Sequence, residues 1–234
     1  MGPGHEISII IPVLNEASII NRTIGDILNL PYDGKVEVIV VDGGPYGETL
    51  NAVEKNDLKK IISQKGRPCQ MNEGARNACG EILLFLHADT ELPSDALKTI
   101  SSVMGRRKFV GGAFDLGIKS DKPVFRLIET AASLRSRVTR IPYGDQAIFI
   151  RKEYFHASGG FREIPLMEDV EFMRRIKKAG DRIYIIPEKV KTSPRRWERE
   201  GILCCTMRNW LLITLYSAGV PPEKLAAFYK WDAK

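Results

Sequence analysis

Short unbroken apolar runs alternate along this chain with stretches whose apolar residues recur every three or four positions, and most runs end in a polar or glycine-bearing turn. Runs at 7–13, 36–41 and 82–86 fit strands covered on both faces, as in a sheet held between layers of helix. Between the first two, Ile19, Ile20, Ile24, Ile27 and Leu28 keep helical spacing and predict an amphipathic helix over 17–28. A helix near 50–54 and a short strand at 58–62 complete two βα units. A loop at 65–75, forced by Gly66 and Pro68, leads into a helix ending near Cys79 and Gly80. Beyond it come helix 94–104, an alternating strand at 109–116, helix 125–135, a buried strand reaching Ile150, a helix closing at Gly180 and a strand at 182–187. The pattern predicts an α/β fold.

The turns after these strands carry the candidate chemistry, because ligands of open α/β sheets gather at the C-terminal strand ends. Asp42 followed by Gly43 and Gly44 is expected to leave an exposed carboxylate beside backbone that a ligand can approach closely. Asp89 stands where the apolar run of 82–86 gives way to His87-Ala88-Asp89-Thr90, either as a ligand-site carboxylate or as a turn cap before the helix that follows. Arg67, Gln70 and Asn72 bring a guanidinium and two amides to a helix start, a natural place to hold phosphate. Gly111 and Gly112 permit close backbone approach and leave room for a ligand's ring, or else mark a bulge at a sheet edge.

Composition narrows the field. With 234 residues, 44% of them hydrophobic and 27% charged, the chain supports one large core, and no linker, low-complexity tract or repeat divides it. Its formal charge of +6 suits an anionic partner, and the lack of a helix-turn-helix, zinc-finger or aromatic RNA-binding pattern points away from nucleic acid. Cys69, Cys79, Cys204 and Cys205 have neither zinc-ligand nor disulfide-framework spacing, so reduced thiols are expected. The first apolar run lacks a basic lead and is too short for a signal or membrane span, which places the protein in the cytoplasm as an expectation. Residues 1–5 are left out of fold reasoning. The apolar segment 201–219 is broken by Arg208 and Asn209, so it is expected to pack on the domain, a twin subunit or a membrane surface rather than span a bilayer.

In order and spacing, Pro12-Val13-Leu14-Asn15-Glu16, Val40-Val41-Asp42-Gly43-Gly44, the loop from Gly66 to Ala75 and Leu86-His87-Ala88-Asp89-Thr90 resemble a family 2 glycosyltransferase of the GT-A fold. The likeness runs from Ile7 to about Gly201. It implies a single Rossmann-like domain over 1–200 with a mixed, mostly parallel sheet, and a helical extension over 201–234. It also implies an inverting transfer of a sugar from a nucleoside diphosphate to an acceptor hydroxyl. Pro12, Asn15, Glu16, Asp42 and Gly43 would hold the nucleoside, with Arg67, Gln70, Asn72 and His87 completing the donor site. Asp89 would hold Mg2+ or Mn2+, a hard ion suited to oxygen ligands.

By the same resemblance Asp145 and Gln146 hydrogen-bond sugar or acceptor hydroxyls, and Arg195, Arg196 and Trp197 meet the diphosphate or acceptor, guanidinium forks on phosphate and the indole on a sugar face. Asp169 is the expected general base, with Glu168 in reserve, although a helix start favours acids in any case. Two departures stand out. His87-Ala88-Asp89 replaces the usual Asp-x-Asp and so lacks a second carboxylate, and Pro45 to Thr49 lacks an acid common after the Asp-Gly-Gly turn. Helix 125–135 reads as carrying exposed basic residues, and Arg135, Arg137, Arg140, Arg195, Arg196 and Arg199 with the apolar C-terminal segment suggest a lipid-linked acceptor or work at the inner face of the membrane, against packing on the domain or a homodimer seam. The rival readings are a sugar-phosphate nucleotidyltransferase, which would want a glycine-rich basic loop after the first strand, and a non-catalytic nucleotide-sugar-binding relative.

Overall fold

A computed structural model describes residues 4–228. Seven strands, β1 (Ile7–Val13), β2 (Val36–Asp42), β3 (Lys59–Ile62), β4 (Ile82–Phe85), β5 (Gly111–Ile118), β6 (Phe149–Arg151) and β7 (Ile183–Thr192), form one sheet in the order β3-β2-β1-β4-β6-β5-β7. All run parallel except β6, which is antiparallel to both β4 and β5. That reversal puts the turn entering β6 at the same edge as the C-terminal ends of β1, β2 and β4, so residues before a strand share an edge with residues after strands.

The period of two in the strands divides the core into two layers. Ile7, Ile9 and Ile11 of β1 face α1 (Ile20–Leu28) and α4 (Ala96–Gly105), whose Ile24, Ile27, Leu97 and Ile100 cover them. Ile10 faces the opposite layer, where α3 (Arg67–Asn77), α6 (Lys152–Ala157) and α7 (Glu168–Lys178) contribute Met71, Phe155, Phe172 and Ile176. Each fully buried Ile or Phe contributes roughly 1.5–3 kcal/mol, so both layers are needed to hold so thin a sheet.

Element bounds depart from the sequence expectation for local reasons. Helix α1 starts at Ile20 because the Ile19 and Ile20 N–H groups both turn back onto Glu16 O. Strand β7 continues past Pro187, where the pattern had ended it. The register jumps from Phe114↔Ile186 to Asp115↔Lys189, so Pro187 and Glu188 form a bulge on an edge strand, where proline leaves no ladder bond missing. The expected room for a sugar at Gly111 and Gly112 is corrected. A Cβ on Gly111 would lie 2.4 Å from Phe149 O and one on Gly112 2.2 Å from Tyr184 O, at the sheet edge opposite Asp89. Those glycines serve close approach of sheet backbone.

Helix α5 (Pro123–Thr139) is longer than its predicted 125–135, and α8 (Arg195–Glu200), α9 (Ile202–Ser217) and α10 (Pro222–Ala226) close the described chain. Helix α2 (Glu48–Asn51) is a single turn. The C-terminal helix α9 packs inward through Cys205 and Leu212 and is tied at its far end by Arg174, which donates to Ser217 Oγ at 2.6 Å and covers the Tyr216 ring. Leu203, Met207, Trp210 and Leu211 face outward. Among the described residues no helix is long and apolar enough to cross a membrane. The end of the expected extension, residues 229–234, lies outside the described residues. All four cysteines are free thiols.

Candidate active site

The rim begins where β1 and β2 end side by side. Pro12 pairs with Val41, Asn15 takes the left-handed conformation at φ 58°, and Glu16 N–H donates to Thr49 Oγ1 at 3.2 Å, so the first two turns meet. Asp42 is 1% exposed and accepts from Gly44 N–H at 2.8 Å and Thr49 N–H at 2.9 Å. The carboxylate expected to stand open is instead a buried staple that folds the glycine turn and satisfies an orphan donor at the start of α2. Gly43 N–H donates to Val13 O at 3.0 Å, and a Cβ there would meet the Gln70 amide at 3.0 Å.

Three expected ligand-binding amides belong to the scaffold. Gln70 Nε2 donates to both Val13 O and Val41 O, at 2.7 and 2.8 Å, and so stitches β1 to β2 where the ladder stops. Asn72 brackets Phe161, donating to its carbonyl at 2.8 Å and accepting its N–H at 3.0 Å. Gln146 is fully buried, with Nε2 on Phe114 O and Oε1 accepting from Ser136 Oγ and Tyr143 N–H. Buried backbone groups at element ends require partners, and these amides supply them. Trp197 likewise leans edge-on against Phe125 of α5, with ring centres 5.9 Å apart, and Arg196 turns back to Glu200 at 3.4 Å.

Asp169 and His87 do converge on the turn at 144–146, which itself carries Asp145. Asp169 accepts from Gly144 N–H at 2.6 Å and from Val170 N–H at 2.7 Å, which fixes both of its oxygens at the start of α7. A Cβ on Gly144 would lie 3.3 Å from His87 Nε2 and 3.4 Å from Asp169 Oδ2, so this glycine is the contact between the His87-Ala88-Asp89 turn and α7. Burial, reinforced by the Arg67 charge, pushes the His87 imidazole down to about 3 and keeps it neutral. Burial raises Asp145 to about 6 against the pull of Arg135, and its Oδ1 is buried without a hydrogen-bond partner.

Glu168 is buried and pairs with Arg67 at 3.6 Å; burial pushes it up to about 7, opposed by Arg67 and aided by Asp169. Arg67 therefore reaches toward the helix that carries the expected base. Arg135 was grouped with exposed basic residues by the sequence reading, yet burial lowers it to about 10 and it stacks on the Tyr143 ring at 3.2 Å, beside Asp145 and Asp169. A signal existed: Phe125, Glu129, Ser133 and Ser136 recur at helical spacing along the buried face of α5, and Arg135 adjoins that stripe.

Asp89 is half-buried at the end of β4, and its Oδ2 lies 3.3 Å from Arg195 Nη2, which also meets the Glu16 carboxylate. Among the described residues no group of three or more His, Cys, Asp or Glu side chains is placed to hold a metal ion. Asp89 and Glu16 nevertheless offer hard oxygen donors on one cationic nitrogen, and ions such as Mg2+ are commonly bound by one or two carboxylates with phosphate oxygens and water completing the shell. The residues present fit such an ion.

The family model for glycosyl transferase family 2 matches residues 8–164. A probable glycosyltransferase of Bacillus subtilis, YdaM, is 24% identical over 220 residues, covering 83% of this chain and 51% of its own length. A cholesterol galactosyltransferase of Borreliella burgdorferi is 30% identical over 102 residues, covering 41% of this chain and 28% of its own. The chain thus spans about half, or less, of the curated relatives it matches. The mannosyltransferase PcManGT of Pyrobaculum calidifontis, solved with GDP-Man and Mn2+, superposes with a TM-score of 0.61 at 24% identity over 79% of this chain and 56% of its own, a likeness of fold.

Proposed function

This chain belongs to glycosyl transferase family 2, and from that premise we propose that it transfers a sugar, with inversion, from a nucleoside diphosphate to an acceptor hydroxyl. The observation that supports this reading is the placement of Gly144, which lies against both His87, two residues before Asp89, and Asp169 at the start of α7. Asp89 holds the divalent ion, Mg2+ or Mn2+, which when bound neutralises charge developing on the leaving diphosphate, an effect worth several kcal/mol. The turns at Pro12–Glu16 and Asp42–Gly43 border the nucleoside, with Arg67 behind them.

Asp169 removes the acceptor proton as the new carbon–oxygen bond forms and the bond to the diphosphate breaks. Its two backbone donors hold it in place, and each oxygen retains a lone pair. Arg67 on Glu168 fixes the helix start, and Asp145, with an unpartnered buried oxygen, is the group poised to bind a hydroxyl.

The acceptor side is an amphiphile at an anionic membrane surface, the inner leaflet for a cytoplasmic protein. Leu127, Leu134 and Val138 on the outer face of α5 alternate there with Arg126 and Arg137, and α9 exposes a charge-free stripe of Leu203, Met207, Trp210 and Leu211. Apolar faces beside basic residues suit such surfaces. Helix α5 reaches the turn at 144–146 through Arg135 on Tyr143, and α9 follows α8, which carries Arg195. The similarity to a cholesterol galactosyltransferase accords with a lipid acceptor.

A thermal-shift screen of UDP- and GDP-sugars with and without Mn2+ tests the donor half. The expected result is a rise in melting temperature that needs both nucleotide and Mn2+, since a ligand bound to the native state alone stabilises it. No response to any nucleotide would sink the reading.

A further inference from the structure

Arg195 Nη2 lies 3.4 Å from Glu16 Oε1, 3.3 Å from Glu16 Oε2 and 3.3 Å from Asp89 Oδ2. One cationic nitrogen therefore sits among three oxygens of two carboxylates that come from different strand ends. These distances exceed the roughly 2.7–2.9 Å of a strong charge-assisted bond, and an arginine fork ordinarily grips one carboxylate in two parallel bonds. The guanidinium here acts as a shared point charge. Glu16 and Asp89 are both half-buried, and this one guanidinium is placed between their carboxylates. Yet Arg195 itself is 52% exposed on the first turn of α8, so the contact is weakly held and easily exchanged.

The departure noted at His87 bears on the same place. His87 packs against Gly144, on the side of the turn that faces Asp169. The carboxylate that shares Arg195 with Asp89 comes instead from the turn after β1.

We propose that Glu16 is the second carboxylate of the divalent-cation site and that Arg195 is the cation resident there until metal and donor arrive together. The proposal rests on the metal reading of Asp89 given above. A metal ion between the two carboxylates would meet the guanidinium charge at the same oxygens, so Arg195 opposes entry of metal alone. Once displaced, it stands beside the site as a counter-charge for the diphosphate. Metal and nucleotide therefore favour each other's binding, a coupling that acts equally in both directions.

Direct titration of Mn2+, followed by electron paramagnetic resonance and by calorimetry with and without UDP or GDP, tests this. In the wild type the nucleotide tightens Mn2+ binding about tenfold or more, within the usual range for coupled sites. Arg195→Gln tightens Mn2+ alone about tenfold and largely abolishes the mutual enhancement, whereas Arg195→Lys, which keeps the charge, behaves nearer the wild type. Glu16→Gln weakens Mn2+ about tenfold, both alone and in the Arg195→Gln background, a size common for metal-site partners. Circular dichroism confirms that each variant is folded. Unchanged Mn2+ affinity in Arg195→Gln, or in Glu16→Gln, overturns the proposal. Asp89→Asn separates the two levels. If it loses Mn2+ while Glu16→Gln keeps it, this inference alone fails; if Asp89→Asn binds Mn2+ as the wild type does, the metal reading falls with it.

Discussion

Asp169 and Glu168 are sequence neighbours with different preparation: Asp169 is half-buried and held by two backbone N–H groups, whereas Glu168 is buried against Arg67. Asp169→Asn should therefore keep nucleotide binding and lower turnover about 10²- to 10⁴-fold, the usual worth of a general base. Near-normal turnover in that variant, with a dead Glu168→Gln, would move the role to Glu168. The pair also sets a pH dependence. Glu168 has its folded pKa raised from 4.5 to about 7, so it binds a proton more tightly folded than unfolded. Its contribution to stability is full below about pH 4.5 and is lost as pH rises through 7, by an amount on the order of 1–3 kcal/mol. Chemical denaturation from pH 4.5 to 8 should show that loss in the wild type and a flatter profile in Glu168→Gln. At this scale the places of Asp89, Asp145 and Asp169 at turns and a helix start were legible in the sequence, but the burial of Asp42 under its own turn was not. The amides were not. Gln70, Asn72 and Gln146 can bind a ligand or a backbone equally well, and only the fold decides which carbonyls lie within reach.

Among the elements, the strands were read best, because an unbroken apolar run has few alternatives. Strand β7 was cut short at Pro187 because a bulge that tolerates proline depends on the partner strand, which the local sequence does not reveal. Gly111 and Gly112 show the same limit, for their reason lies in the carbonyls of β6 and β7. Gly112→Ala would place a Cβ 2.2 Å from Tyr184 O, and overpacking of this kind costs about 1–3 kcal/mol or more. Urea denaturation should show that loss, with nucleotide affinity of the folded fraction unchanged. Gln70→Leu leaves two strand-end carbonyls without their amide donor and should cost roughly 1–3 kcal/mol. In contrast to Gly112→Ala, it should also weaken nucleotide binding, because the two turns it joins form the rim.

Across the whole molecule, the parallel α/β architecture followed from the alternation of runs and helical periods, but the reversal of β6 did not, since three residues carry no sign of direction. The outer faces of α5 and α9 are where the proposed membrane contact is tested. The wild type should sediment with anionic vesicles at low salt, and Trp210→Ser with Leu211→Ser should release it without loss of nucleotide binding. A wild type that stays in the supernatant at low salt would remove the membrane from the proposal.

Strand β6 has one more consequence. In the sheet ladder its three residues join β1–β4 to β5 and β7, which are paired across a long stretch of intervening chain, and the isolated bridge Glu91↔Lys191 is a second, smaller link. Closing that loop is entropically late work in folding, and the elements that depend on it are the natural candidates to open first. Amides of β5 and β7 should accordingly exchange with deuterium through a less costly opening than those of β1 and β2. Because Asp89 and the turn at 144–146 stand on either side of this seam, heating should silence the protein several degrees before its helices melt, an enzyme disassembled at its stitching while most of its cloth is still whole.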